Sequence, residues 1–222
     1  MTKKIRKTVT TVREHPMHVP VSEKNPTGIT IRDRHLRRLK GTYLDTTEME
    51  SIFKNYDRKS IIYPAKGKLK HKNADKYDEE IAVWSDYFNK KFNITNPLDP
   101  DVVKALIDSE SDFRVDPREN NKAFGITQVT LGTLKVVQDP KGEAKDFIFE
   151  KIRQKDLKNP SIAIPITVRW LFRKRVTAMD KLKREPNHEE LILEYKGLLK
   201  SDSKYKDAAL RKYKEAYAKL KK

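Results

Sequence analysis

The sequence contains no cysteine, which excludes disulfides, thiolate nucleophiles and Cys-ligated metals. It also lacks a long apolar run. Its best stretch, Ile162 to Val168, is interrupted by Pro165 and Thr167, well short of the roughly 18 apolar residues that a membrane-spanning helix needs. The opening Met1-Thr2-Lys3-Lys4-Ile5-Arg6-Lys7 is basic, but no apolar segment follows it, so no secretory signal peptide is expected. There is no Gly-rich phosphate loop. His15, His18, His35, His71 and His188 do not share a spacing that would converge on a metal. No metal and no other cofactor is therefore expected. Internal repeats and low-complexity segments are absent too.

What is present is positive charge. The 222 residues carry 49 Lys and Arg against 32 Asp and Glu, a net +17. Hydrophobic and charged residues each make up 36%, so a core is feasible beneath a densely charged surface. The length fits one domain, or one domain with an extension. Residues 1–94 contribute +9 and residues 95–222 contribute +8, so the charge is not a basic tail on a neutral body. Such an excess implies an anionic partner: nucleic acid, a membrane surface or an anionic cell-wall polymer.

The patterning reads as mainly α. Residues 1–30, with Pro16, Pro20 and Pro26, read as an extended or mobile leader, and Ile31 to Lys40 as a short basic helix ended by Gly41. Thr47-Glu48-Met49-Glu50 offers a capping-box start to a helix reaching Tyr56. Lys66 to Lys72 form a basic loop. Ile81, Trp84, Phe88 and Phe92 predict an amphipathic helix over 77–92. Asp99-Pro100 opens a helix to Ser111, and further helices are expected at 127–138, 143–154, 160–183, 187–199 and 203–221. In the last of these, Tyr205, Ala209, Tyr213, Tyr217 and Leu220 form one stripe, read as core. Only Ser60 to Tyr63 and Lys122 to Gln128 suggest strands. The expected division is an N-terminal, less regular basic extension over 1–93, as a targeting or wall-binding segment, and a helical domain over 94–222.

One residue stands out for chemistry. In the helix after Pro100, Val103, Leu106 and Ile107 mark the buried face, and Glu110 continues that stripe. A carboxylate there is either paired or pushed toward its protonated form by desolvation, which is what a general acid requires. The plain alternative is a helix-end Glu reaching solvent.

Glu110-Ser111-Asp112-Phe113, followed by Ala123-Phe124-Gly125-Ile126-Thr127-Gln128, resembles the signature of the lytic transglycosylases with a goose-type lysozyme fold. In that family a Glu-Ser-x-Phe motif carries the catalytic acid, and a Gly-(Leu/Ile)-x-Gln motif follows. The Gln commonly lies eighteen residues after the Glu, the spacing of Gln128 from Glu110. Asn159-Pro160-Ser161-Ile162-Ala163-Ile164 with Trp170-Leu171 is similar to the family's Asp-Pro-x-x-Asn-Ile pattern. Glu194-Tyr195-Lys196-Gly197 resembles its Ala-Tyr-Asn segment. The likeness spans residues 94–200. Three positions depart from it: Ala163 and Lys196 stand where the family has Asn, and Thr167 where it has Gly. These departures bear on the floor of the sugar groove and on substrate detail.

The resemblance implies a lysozyme-like (goose-type) helical domain that cleaves the MurNAc-GlcNAc β-1,4 bond of peptidoglycan. Glu110 would be catalytic, with Ser111, Phe113, Gly125, Ile126, Gln128 and Tyr195 shaping or binding the substrate site. The family's Tyr hydrogen-bonds the catalytic Glu. Formation of 1,6-anhydromuramyl ends needs one carboxyl; a muramidase would use a second, and Asp101, Asp112, Asp116 and Glu119 are the candidates. The implied partners are peptidoglycan strands, together with an immunity protein or a secretion apparatus; no nucleic acid is expected. Synthesis in the cytoplasm and action in the periplasm or cell wall, as a phage lysin or a secreted antibacterial effector, complete the expectation. Two rivals stay open: a basic nucleic-acid-binding module, on Arg32, Arg34, Arg37, Arg38 and Lys40, and a wall-binding protein with a degenerate site.

Overall fold

A computed structural model describes residues 9–12, 15–27, 29–32, 35–38, 42–117 and 122–222. The chain forms two compact units, Met1–Gly41 and Thr42–Lys222.

In the first unit, strand β1 (Val9–Val12) pairs antiparallel with β4 (His35–Arg38), and β2 (His15–His18) with β3 (Ile29–Arg32). Val12 faces His35 and His15 faces Arg32, so the two ladders share one register. The expected helix over Ile31–Lys40 is corrected here. β-Branched Ile29, Thr30 and Ile31 favour an extended backbone, and residues 9–12 and 15–18, in the stretch read as a leader, supply the partner strands. Asp33, Arg34, Leu39, Lys40 and Gly41 lie outside the described residues.

The second unit is mainly helical: seven α-helices among the described residues, with short strands. It begins with β5 (Thr42–Leu44) and α1 (Thr46–Asn55). The capping box of α1 starts two residues before the expected Thr47: Glu48 N donates to Asp45 Oδ1 and Asp45 N to Glu48 Oε2, each at 3.0 Å. Asp is the stronger N-cap. Helix α2 (Asp78–Lys91) buries Ile81, Trp84 and Phe88, and Phe92 stacks on Phe88 at 5.9 Å. The compact unit therefore starts at Thr42 rather than at residue 94, because the aromatic face of α2 is part of its core.

Helix α3 (Pro100–Ser111) starts at Asp99, whose side chain accepts from Asp101 N, with Pro100 in the first turn. The short hairpin β6 (Ala123–Phe124) and β7 (Val129–Thr130) follows, then α4 (Leu131–Gln138). Helix α4 starts later than expected because Gln128 sits at φ +51°, and Thr130 caps it through Thr133 N. The expected helix over 143–154 is instead β8 (Phe147–Phe149), parallel to β5, then a short 3-10 turn at Gln154–Lys158. Phe147, Ile148 and Phe149 are all buried, and three apolar residues in a row have no helical stripe to offer. Ser60 to Tyr63 form no strand; Ile62 and Tyr63 are exposed.

Helix α5 (Pro160–Leu182) is the central rod. From Ala163 to Phe172 every residue is buried, the pattern of a helix surrounded by others. Helix α6 (His188–Tyr195) packs on α5, and α7 (Ser203–Leu220) lies along α3. Leu210, Tyr213, Ala216 and Leu220 are buried on α7; Tyr205, expected in that stripe, is exposed because it precedes the contact. No described helix is long and apolar enough to cross a membrane.

Candidate active site

Glu110 lies in the last turn of α3. The helix stops immediately after it, because Asp112 and Phe113 both adopt left-handed backbone, at φ +51° and +61°. Two consecutive non-glycine residues in that region are costly. The fully buried Phe113 side chain offsets the cost by filling the core. Ser111, also buried, donates its hydroxyl to Ile126 O at 2.7 Å. That bond ties the end of α3 to the turn between β6 and β7.

The turn, Gly125 to Gln128, is held against the 3-10 segment. Gly125 has φ +73°, and a Cβ there would stand 1.9 Å from Leu157 O. Only glycine fits. Gln128 donates its backbone N to Gly125 O at 3.1 Å and its side-chain Nε2 to the same oxygen at 2.8 Å. Part of its amide is therefore spent on its own turn. Tyr195, the last residue of α6, donates its hydroxyl to Thr127 O at 3.0 Å. The family resemblance implies a bond from this phenol to the Glu; the described hydroxyl bonds the turn instead. Burial and the negative charge of Glu110 both push the Tyr195 phenol above its ordinary range, against the opposing effect of Thr167. Tyr195 thus stays a neutral donor beside Glu110.

Glu110 itself is ion-paired to Lys196, which donates Nζ to Oε1. Both side chains are mostly sequestered, at 17% and 18% exposed. The preceding Glu194 is 2% exposed and is held by Lys181 at 2.7 Å and Lys174 at 3.8 Å, both on α5. These contacts fix the end of α6, and with it Tyr195 and Lys196.

The structure thus brings Glu110, Ser111, Ile126 and Tyr195 into one cluster with the Gly125–Gln128 turn. It does so with Ser111, Phe113, Gly125 and Ile126 buried. Phe113 faces the core beside His71, at 6.4 Å between rings, so these residues set the shape of the site from behind. No family model, curated protein or solved structure matches this chain.

The candidate second carboxylates fall elsewhere. Asp101 is nine residues before Glu110 on one helix, roughly 13 Å along its axis, and is committed to Ala65 N and Lys221. Asp112 faces His71, Arg114 and Lys212 at 3.6–3.9 Å. Asp116 is exposed and pairs with Lys158 at 2.8 Å. Glu119 lies outside the described residues. Asp108, which burial pushes upward, meets His71 on the flank of α3 about 200° around from Glu110.

Two contributors go beyond what the sequence pattern offers. Lys196 stands out in the sequence only as a departure from the motif, either drawn to an anionic lactyl-peptide substituent or solvated, and its pairing with Glu110 spans 86 residues. Thr127 carries a buried hydroxyl with no hydrogen-bond partner among the described residues; its position inside the turn motif was the available signal.

Proposed function

We propose that the protein is a peptidoglycan-cleaving enzyme of the lysozyme-like (goose-type) class, a lytic transglycosylase acting on the MurNAc-GlcNAc β-1,4 bond. The observation that supports this reading most is the meeting of three separate segments around Glu110. Its neighbour Ser111 binds the Gly125–Gln128 turn, Tyr195 binds the same turn and feels the charge of Glu110, and Lys196 pairs with Glu110 itself. The second support is Asp101, which lies nine residues back along α3 and is committed to Ala65 N and Lys221. That arrangement favours chemistry in which one carboxyl does both proton transfers.

In this reading Glu110 leaves the Lys196 ion pair, takes a proton from solvent and, as the acid, gives it to the glycosidic oxygen, and the GlcNAc 4-hydroxyl leaves. The resulting carboxylate accepts the proton of the muramyl 6-hydroxyl as that oxygen closes on C1. The carboxyl is restored, a 1,6-anhydro ring forms and no water is consumed. Tyr195 stiffens the turn and presents a neutral dipole beside the carboxyl. The net +17 attracts the enzyme to anionic wall polymers. Action on the wall after release or secretion, with an immunity protein or a secretion apparatus as partner, belongs to the same proposal, as does a loading or targeting role for the N-terminal hairpin unit.

Mass analysis of muropeptides released from purified peptidoglycan tests it. Products with 1,6-anhydromuramyl ends are expected. Reducing ends would instead assign a muramidase, and no product would favour the binding readings.

A further inference from the structure

Lys196 stands on the one carboxyl that the proposed chemistry needs. We propose that Lys196 is a specificity-determining residue: it closes Glu110 in an ion pair that a carboxylate-bearing glycan opens and a neutral glycan does not. This rests on the glycosidase reading above.

The geometry carries the argument. Glu110 is 17% exposed and Lys196 18%, so the pair is partly withdrawn from water and only weakly screened. Glu110 must reach the scissile oxygen within hydrogen-bond distance, and the paired Lys196 Nζ occupies one of its two oxygens. An ion-paired carboxylate cannot serve as the acid, so productive substrate entry has to move the ammonium. The end of α6 cannot carry it away, since Glu194 is clamped by Lys181 and Lys174 and Tyr195 is bonded to Thr127 O. The Lys196 side chain can swing instead. It caps the helix, and the next residue, Gly197, is at φ +74° with open space around its Cβ position.

A displaced ammonium left without a partner near this site is unfavourable. A neutral sugar offers none. The sugars that flank the bond lie within the sweep of a lysine side chain anchored beside Glu110, and a carboxylate on their substituents offers a replacement. Stem-peptide carboxylates on the muramyl residue have that chemistry. Discrimination then arises by penalising the uncharged glycan, and it acts on turnover, because only the opened pair frees Glu110.

The test uses the full chain on two substrates: native sacculi, and the same sacculi with carboxylates converted to amides by carbodiimide and ammonia. Wild type is expected to prefer the native wall by about tenfold or more, largely in kcat. Lys196→Gln is expected to bring the two within about twofold, with amidated wall turned over at least as fast as by wild type. Lys196→Arg should keep the preference. Lys200→Gln removes an exposed lysine four residues further along the chain and controls for bulk charge; its ratio should not move. Lys196→Met, which keeps the aliphatic stem, replaces the Gln variant if thermal melting shows the latter unfolded. An active Lys196→Gln enzyme with the wild-type ratio overturns the proposal, as does a folded variant inactive on both walls. No cleavage of either wall by wild type removes the glycosidase reading, and this inference with it.

Discussion

Gly125 shows how one residue can hold a site in place. Its left-handed backbone and the 1.9 Å approach of Leu157 O to a Cβ position leave no room for alanine. Gly125→Ala should therefore cost at least about 3 kcal/mol of stability, read from urea unfolding, and any folded fraction should lose activity as the turn moves away from Ser111. Unchanged stability would mean that the turn is not packed as described. Phe113 carries a related lesson. The motif residue sits in strained backbone with its ring in the core, so it positions Glu110 without facing a substrate. The sequence singles out Glu110 through the resemblance of its motif and of the eighteen-residue spacing to Gln128; the apolar stripe alone also fits a helix-end Glu reaching solvent. The sequence did not identify the Lys196 pair, because a contact between residues 86 apart depends on how α6 docks.

At the scale of elements, α2, α3, α5 and α7 were legible within one or two residues, since caps and apolar stripes are local signals. Asp99-Pro100 and Asn159-Pro160 mark two starts without ambiguity. The segment around Phe147 was not legible, because its strand exists only through parallel pairing with Thr42–Leu44, far away in the chain. The antiparallel pairings of 9–12 with 35–38 and of 15–18 with 29–32 were lost for the same reason. A loop-to-helix contact gives a prediction here. Lys104 on α3 is fully buried and binds Asp75 at 2.7 Å, Asp78 at 2.8 Å and Ala65 O at 2.8 Å, fastening the 65–78 loop to the core. Burial raises the Asp78 carboxyl from an ordinary 3.8 to about 6, even with Lys104 beside it. The folded protein then keeps a proton at this group that the unfolded chain has released. The group's contribution to stability is whole below the unfolded value and is lost as pH rises through about 6. Stability of wild type relative to Asp78→Asn should fall by about 1–3 kcal/mol between pH 4 and 7, measured by urea unfolding at each pH. A flat difference would contradict this.

For the whole molecule, the mainly α character and the even spread of charge were both readable from composition and periodicity. The boundary at 93/94 was not. Trp84 and Phe88 look from sequence like any amphipathic face, and only their burial, with Phe88 packed against Phe147 at 4.9 Å and against Phe172, assigns them to the core. Truncation checks this directly. Residues 42–222 should melt cooperatively near the full-length temperature, while 94–222 should show no cooperative melt by near-UV circular dichroism. A cooperative 94–222 fragment would restore the later boundary.

The central claim is that one carboxyl, Glu110, performs both proton transfers of glycan cleavage. Comparing wild type and Glu110→Gln for muropeptide release from native sacculi, with sacculus binding measured in parallel, tests it most directly. The account predicts 1,6-anhydro products from wild type, none from the variant, and equal binding. Release of the same products by Glu110→Gln at the wild-type rate would contradict it.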